Sequence, residues 1–204
     1  MPSNKPIDFY FDFSSPYGFL AAQKIGPLAA RHDRGIDWHP ILLGVVFKHT
    51  GSGPLTQIPL KGEYARRDMA RSARFHGLPP LTMPERFPIP TQAPARLVSW
   101  VKGTAPDQVG ALVLALYRAY FNDHRDISNP DETTVVAADA AGLDREAARR
   151  AIDDPAVKEA FKAEMDRAIA RGVFGSPYIV VDGEPFWGLD RLDQVARWLE
   201  TGGF

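Results

Sequence analysis

The chain has 204 residues, of which 45% are hydrophobic and 24% charged, the proportions of an ordinary globular protein and not of a disordered one. Twenty-four basic and 25 acidic residues leave a formal net charge of -1, which gives no electrostatic reason to expect a nucleic acid or an anionic membrane as partner. Cysteine is absent, which excludes disulfides, thiolate metal sites and any thiol nucleophile carried by the protein itself.

Met1 to Pro6 has neither the basic nor the apolar region of a secretory signal, and nowhere do about 18 apolar residues run together as a spanning helix requires. A cytoplasmic protein is therefore expected. Ile7 to Phe13 alternates, with Ile7, Phe9, Phe11 and Phe13 set against Asp8, Tyr10 and Asp12, which predicts a strand. Ser14-Ser15-Pro16 stops it. Serine followed by proline predicts a helix start, with Ser15 as cap and Pro16 at the first helical position, and the helix continues from Tyr17 to His32. Ile36 to Leu43 reads as a second strand, which Pro40 places at an edge or a bend.

From Gly44 the pattern changes. Gly51, Gly53, Pro54 and Pro59 predict a long loop, and Tyr64 to His76 a basic helix. Pro79, Pro80, Pro84, Pro88, Pro90 and Pro94 exclude regular structure across 78–94. Helical patterns then occupy 95–102, 106–122, 131–141, 144–152 and 155–171, with Asp144 reading as a cap. Strand character returns at Tyr178 to Val181. Asp182-Gly183 predicts a hairpin turn, Pro185 to Trp187 the return strand, and Asp190 to Thr201 a closing helix with Leu192, Val195, Ala196 and Leu199 on one face. The order is β-α-β, a helical segment, then β-β-α. Without the middle segment this is the order of a thioredoxin fold. The expectation is an α/β architecture in which a thioredoxin-like domain, residues 1–44 and 172–204, is interrupted by an all-helical insertion domain, residues 45–171.

In such a fold the chemistry sits where the first strand runs into the first helix. Free N–H groups and about half a positive charge favour an anion there. Dithiol members place C-x-x-C at that point, whereas this chain has Ser15-Pro16-Tyr17-Gly18, so disulfide exchange is excluded. A lone Ser-Pro is usually only a cap. Gly175-Ser176-Pro177, directly before the C-terminal hairpin, adds a second feature. A cis-proline there, opposite the helix start, would expose the Ser176 backbone to an extended peptide that pairs as an added strand. The histidines, His32, His39, His49, His76 and His124, show no paired metal spacing and read as surface or helix-end residues, so no metal is expected.

Phe9-Tyr10-Phe11-Asp12-Phe13-x-Ser15-Pro16-Tyr17, Gly51-x-x-Pro54, Pro59-x-Lys61-x-x-Tyr64, Phe87-Pro88, Phe174-Gly175-x-Pro177 and Gly188-x-Asp190-Arg191 together resemble the 2-hydroxychromene-2-carboxylate isomerases. Kappa-class glutathione transferases, of the same DsbA-like thioredoxin superfamily, share these motifs. The resemblance covers nearly the whole chain. It implies glutathione as cofactor, its sulfur hydrogen-bonded by Ser15 and its cysteinyl unit paired with Ser176 before Pro177. It also implies Lys61 near the glycyl carboxylate, and Asp190, with Arg191 beside it, at the γ-glutamyl ammonium. Ser52 stands where kappa enzymes often carry asparagine, so a hydrogen bond there is shorter or missing. Tyr17, Phe47 and Trp187 are the candidate substrate residues.

The implied activity is the glutathione-dependent interconversion of 2-hydroxychromene-2-carboxylate and trans-o-hydroxybenzylidenepyruvate in aromatic catabolism. The implied protein is a homodimer acting on a small aromatic or conjugated acid. Two other functions stay open: a kappa-like transferase that releases the conjugate, and a non-catalytic thioredoxin-like module that binds peptides. Asp190 can also be read as a cap of the closing helix, and Lys61 as a solvated charge.

Overall fold

The structure, a computed structural model, describes residues 5–204. Strand β1 (Ile7–Phe11) leads into helix α1 (Pro16–Ala30) and strand β2 (Ile36–Pro40). Helix α2 (Leu43–Thr50) and a 3-10 turn at Leu55–Gln57 precede α3 (Lys61–Phe75). An irregular stretch then reaches α4 (Gln92–Thr104), α5 (Val109–Phe121), α6 (Pro130–Ala141), α7 (Arg145–Asp153) and α8 (Pro155–Ala170). The chain closes with β3 (Tyr178–Val181), β4 (Glu184–Trp187) and α9 (Leu192–Thr201).

The sheet order is β2-β1-β3-β4, with β1 parallel to β2 and the remaining pairs antiparallel. Pro40 thus lies on an edge strand, where its missing N–H costs no ladder bond. Asp182 and Gly183 both take positive φ (53° and 101°), as the tight turn between β3 and β4 requires. Alternation along β1 sends Ile7, Phe9 and Phe11 to one face, where they join Trp38, Tyr117 and Val181 in the main core. The same apolar cluster continues through Leu97, Leu112 and Val136, so the helical segment and the sheet fold around shared side chains. Among the described residues no helix is long and apolar enough to cross a membrane.

The other face of β1 and β2 is polar. His39 is not at the surface or a helix end: its side chain is only 15% exposed. Nε2 lies 3.0 Å from Asp8 and 3.2 Å from Asp37, and Nδ1 lies 3.0 Å from Glu164 of α8. Lys102 reaches Asp37 at 2.8 Å and Glu164 at 2.9 Å, while Arg171 reaches Asp8 at 2.9 Å. Burial alone would discharge His39, but its hydrogen bonds to Asp37, Asp8 and Glu164 outweigh that and push the imidazole pKa up to about 10.

Several expected boundaries move. Helix α3 starts at Lys61 and not Tyr64, and α4 starts at Gln92. The exclusion of regular structure across 78–94 therefore fails at its end, where Pro94 sits in a first helical turn that needs no N–H from it. The first strand ends at Phe11 and the second at Pro40, and residues 43–50, expected as strand end and loop, form α2. The cause is tertiary. Asp12 leaves the strand to accept a hydrogen bond from the Leu43 N–H at 2.6 Å, capping α2 from 31 residues away.

Candidate active site

Asp12 organises the connection between β1 and α1. Its Oδ1 accepts from the Ser14 N–H at 2.7 Å, the Ser14 hydroxyl at 2.9 Å and the Thr91 hydroxyl at 2.9 Å. With Leu43 on Oδ2, this one buried carboxylate gathers the starts of α1 and α2 and the residue before α4 around a single cleft.

Ser15, extended at φ -94° and ψ 112°, caps α1 as its sequence predicts. Its Oγ accepts from the Gly18 N–H at 3.0 Å and donates to the Ser176 carbonyl at 2.8 Å. The Ser176–Pro177 bond is cis. Beneath Ser15, the Asp12 N–H donates to Ser176 Oγ at 3.0 Å, and the Tyr117 hydroxyl donates to the Asp12 carbonyl at 2.8 Å. These two hydroxyls explain Gly18, because a Cβ there would lie 2.6 Å from both Ser176 Oγ and Tyr117 Oη. The place of the second cysteine in a C-x-x-C motif is occupied from below, not merely vacated by substitution.

The cleft has a volume of about 790 Å³. Ser15, Tyr17, Phe47, Ser52, Lys61, Ser176 and Trp187 all line it, so seven of the residues singled out in the sequence share one cavity. Leu55, Ile58, Met69 and Phe87 make much of the rest apolar. The indole of Trp187 packs edge-on against Phe174 at 4.9 Å and is 56% exposed, so it is cleft wall and not hairpin core. Tyr17 donates to Asp68 of α3 at 2.7 Å; burial and that carboxylate raise its pKa, so it stays a neutral donor.

Lys61 is presented by an unusual turn. Leu60 takes φ 66° and ψ -46°, and the Lys61 N–H bonds back to the Pro59 carbonyl at 2.8 Å, a strained γ-turn that starts α3 at the cleft. Pro177, Asp190 and Arg191 do not line the cavity. Asp190 and Arg191 sit on a 3-10 turn (Leu189–Arg191) before α9 and pair with each other at 3.4 Å. The reading of Asp190 as a helix cap is corrected: the cap positions of that turn and of α9 are Gly188 and Arg191. Among the described residues the Asp190 carboxylate pairs with Arg191 and with no helix N–H. Nothing in the sequence assigns a role to Asp12, Ser14, Thr91 or Tyr117 by itself. Only the aspartate carried a signal, as an acid at the end of an aromatic strand.

A serine cap facing a cis-proline across a filled cysteine position defines a thioredoxin-fold protein without its dithiol. The model of the DsbA-like thioredoxin domain matches residues 6–200. A 2-hydroxychromene-2-carboxylate isomerase of Sphingobium xenophagum is 34% identical over 197 residues, covering 96% of this chain and 98% of that one. Glutathione S-transferase kappa 1 of Homo sapiens is 25% identical over 210 residues, covering 97% and 92%. A solved 2-hydroxychromene-2-carboxylate isomerase superposes with a TM-score of 0.84 at 28% identity, covering 95% of this chain and 94% of its own. The chain belongs to the DsbA-like thioredoxin family, in the branch of 2-hydroxychromene-2-carboxylate isomerases and kappa-class glutathione transferases.

Proposed function

We propose that this protein is a glutathione-dependent isomerase interconverting 2-hydroxychromene-2-carboxylate and trans-o-hydroxybenzylidenepyruvate, working as a cytoplasmic homodimer. The single observation that carries the reading is the Ser15 hydroxyl, at the start of α1, bonded to the carbonyl that precedes the cis-proline. The cleft fits a tripeptide thiol. It joins a backbone edge at Ser176, a hydroxyl at a helix N-terminus and the ammonium of Lys61, and its apolar remainder suits an aromatic acid. Bound there, glutathione supplies a thiolate that adds reversibly to a conjugated carbonyl compound and is regenerated.

The work of the chain is to hold that charge. The Ser15 hydroxyl donates to the Ser176 carbonyl. A ligand N–H that pairs with the same carbonyl takes over the acceptor, and the Ser15 hydroxyl turns to the sulfur. One such charge-assisted hydrogen bond favours the thiolate by about 1–3 kcal/mol, with the helix end adding to it. Lys61 receives the glycyl carboxylate. Asp190 and Arg191, outside the wall, reach the γ-glutamyl group where it extends beyond the cleft. Tyr17, fixed on Asp68, keeps its hydroxyl away from proton exchange and shapes the mouth.

The test follows absorbance of the chromene acid with and without glutathione. The reading expects change only with glutathione present and full recovery of the thiol. Loss of thiol with chlorodinitrobenzene and no isomerisation would instead mark a kappa-like transferase. Silence in both assays with retained peptide binding would mark a non-catalytic module.

A further inference from the structure

The proposed reaction leaves one proton unassigned: a thiol held as its anion must give its proton to something. Among the described residues, three titratable side chains line the cleft, Asp12, Tyr17 and Lys61. Lys61 carries only donors. Tyr17 already donates to Asp68. The Ser15 oxygen is a poor base and already accepts from the Gly18 N–H. Asp12 is left.

We propose that Asp12 takes up and stores the thiol proton while the sulfur is charged beside Ser15, a role that rests on the glutathione reading given above. The geometry provides both a place and a route. Oδ1 of Asp12 accepts the Ser14 hydroxyl, so a proton passed along that bond lands on Oδ1 with the bond reversed. Oδ2 accepts only the Leu43 N–H among the described residues and can share the change in charge. Ser14 lines the cleft, is only partly buried, and donates its hydroxyl to Asp12, so it links the cleft to a carboxylate that is itself 2% exposed.

Charge decides where the proton rests. No ion pair meets Asp12 among the described residues; its donors are the neutral groups of Ser14, Leu43 and Thr91. The titratable groups that feel it from α5 are Tyr117 and Tyr120, both neutral phenols whose own ionisation is disfavoured by burial and by the Asp12 charge. Burial pushes the Asp12 carboxyl up, against the pull of its hydrogen bonds. A second anion arriving in the same water-poor pocket cannot coexist with an ionised carboxylate at low cost, so the two share one proton. The helix end and Ser15 favour charge on the sulfur, and nothing cationic favours it on Asp12. The step balances: the S–H bond breaks, an O–H bond forms on Asp12, and the proton returns when the sulfur is released as thiol.

The experiment is a proton inventory by titration calorimetry in buffers of differing ionisation enthalpy. Wild-type protein is titrated with glutathione and with S-methylglutathione, in which a methyl group replaces the thiol proton. The expected difference between the two ligands is close to zero protons, with ultraviolet absorbance showing bound thiolate. A difference of about one proton released per site overturns the proposal, because the thiol proton has then gone to solvent. Glutathione bound without a thiolate band also overturns it. No binding of either ligand instead defeats the glutathione reading itself. Asp12→Asn should release about one proton per glutathione bound, and a value still near zero overturns the proposal. The wild-type pair of titrations decides the matter if that variant does not fold.

Discussion

Strand β1 and the residue that follows it hold two aspartates whose surroundings are opposite. Asp8 faces α8 in a cluster of three carboxylates, Asp8, Asp37 and Glu164, and three cations, Lys102, Arg171 and the charged His39. Asp12, just beyond the end of β1, is held among the described residues by neutral donors alone. The ligand atoms of Asp8, Asp37 and His39 lie within 4.8 Å of one another, as a metal would need, but Lys102 and Arg171 already hold those carboxylates. A carboxylate matched by cations is fixed in its ionised state, because protonating it strands a buried charge. One satisfied by neutral groups can change protonation without leaving a partner uncompensated. The first arrangement fastens α4 and α8 to the sheet; the second suits the edge of a cleft where charge comes and goes.

The comparison can be broken first at its charged end. Replacing His39 with alanine leaves three acids against two cations and should cost about 3 kcal/mol of stability in denaturant unfolding, with activity per folded molecule retained. The pH dependence has a definite sign. The folded pKa of His39, about 10, lies above its ordinary 6.5, so its stabilisation is complete below pH 6.5 and drains away as pH rises toward 10. The wild type should therefore lose stability over that range, and the His39→Ala variant should lose less.

Next comes the uncharged end. Gly18→Ala forces a Cβ against Ser176 Oγ and Tyr117 Oη and should cost about 1–3 kcal/mol in thermal or denaturant unfolding. Ser15→Ala should lower kcat about 10–100-fold through loss of one thiolate donor while glutathione still binds, as steady-state kinetics and calorimetry will show. An unchanged rate would remove Ser15 from the mechanism. The smallest effect is at Lys61: its replacement by alanine should raise the KM for glutathione about two- to fivefold, the worth of an exposed ion pair, and leave kcat alone.

What the sequence made legible was local. Ser15-Pro16 and Asp144 mark their own helix starts because a cap and its N–H lie within three residues. Tyr178 to Val181 marks a strand because every residue is apolar and buried. The cap of α2 was not legible, since its partner is Asp12 and no neighbour of Leu43 announces it. The γ-turn at Leu60 leaves no trace either, because leucine is an unfavourable residue at positive φ. His39 could have been placed: Asp37 and His39 alternate with Ile36 and Trp38 just as Asp8 and Tyr10 alternate with Ile7 and Phe9, and parallel pairing sets the polar faces side by side. Of the site, Ser15 and Ser176 were readable from strand order. The ring of Asp12, Thr91 and Tyr117 beneath them was not, for it is assembled by contacts 79 and 105 residues apart.

The claim on which the rest depends is that a borrowed sulfur is held by the Ser15 hydroxyl at the head of α1. A crystal structure of the wild-type protein grown with glutathione tests it directly. The account predicts the sulfur within hydrogen-bonding reach of Ser15 Oγ, about 3–3.5 Å, and a ligand N–H in place of Ser15 on the Ser176 carbonyl. Glutathione bound with its sulfur away from Ser15, or with that hydroxyl still donating to Ser176, would contradict it.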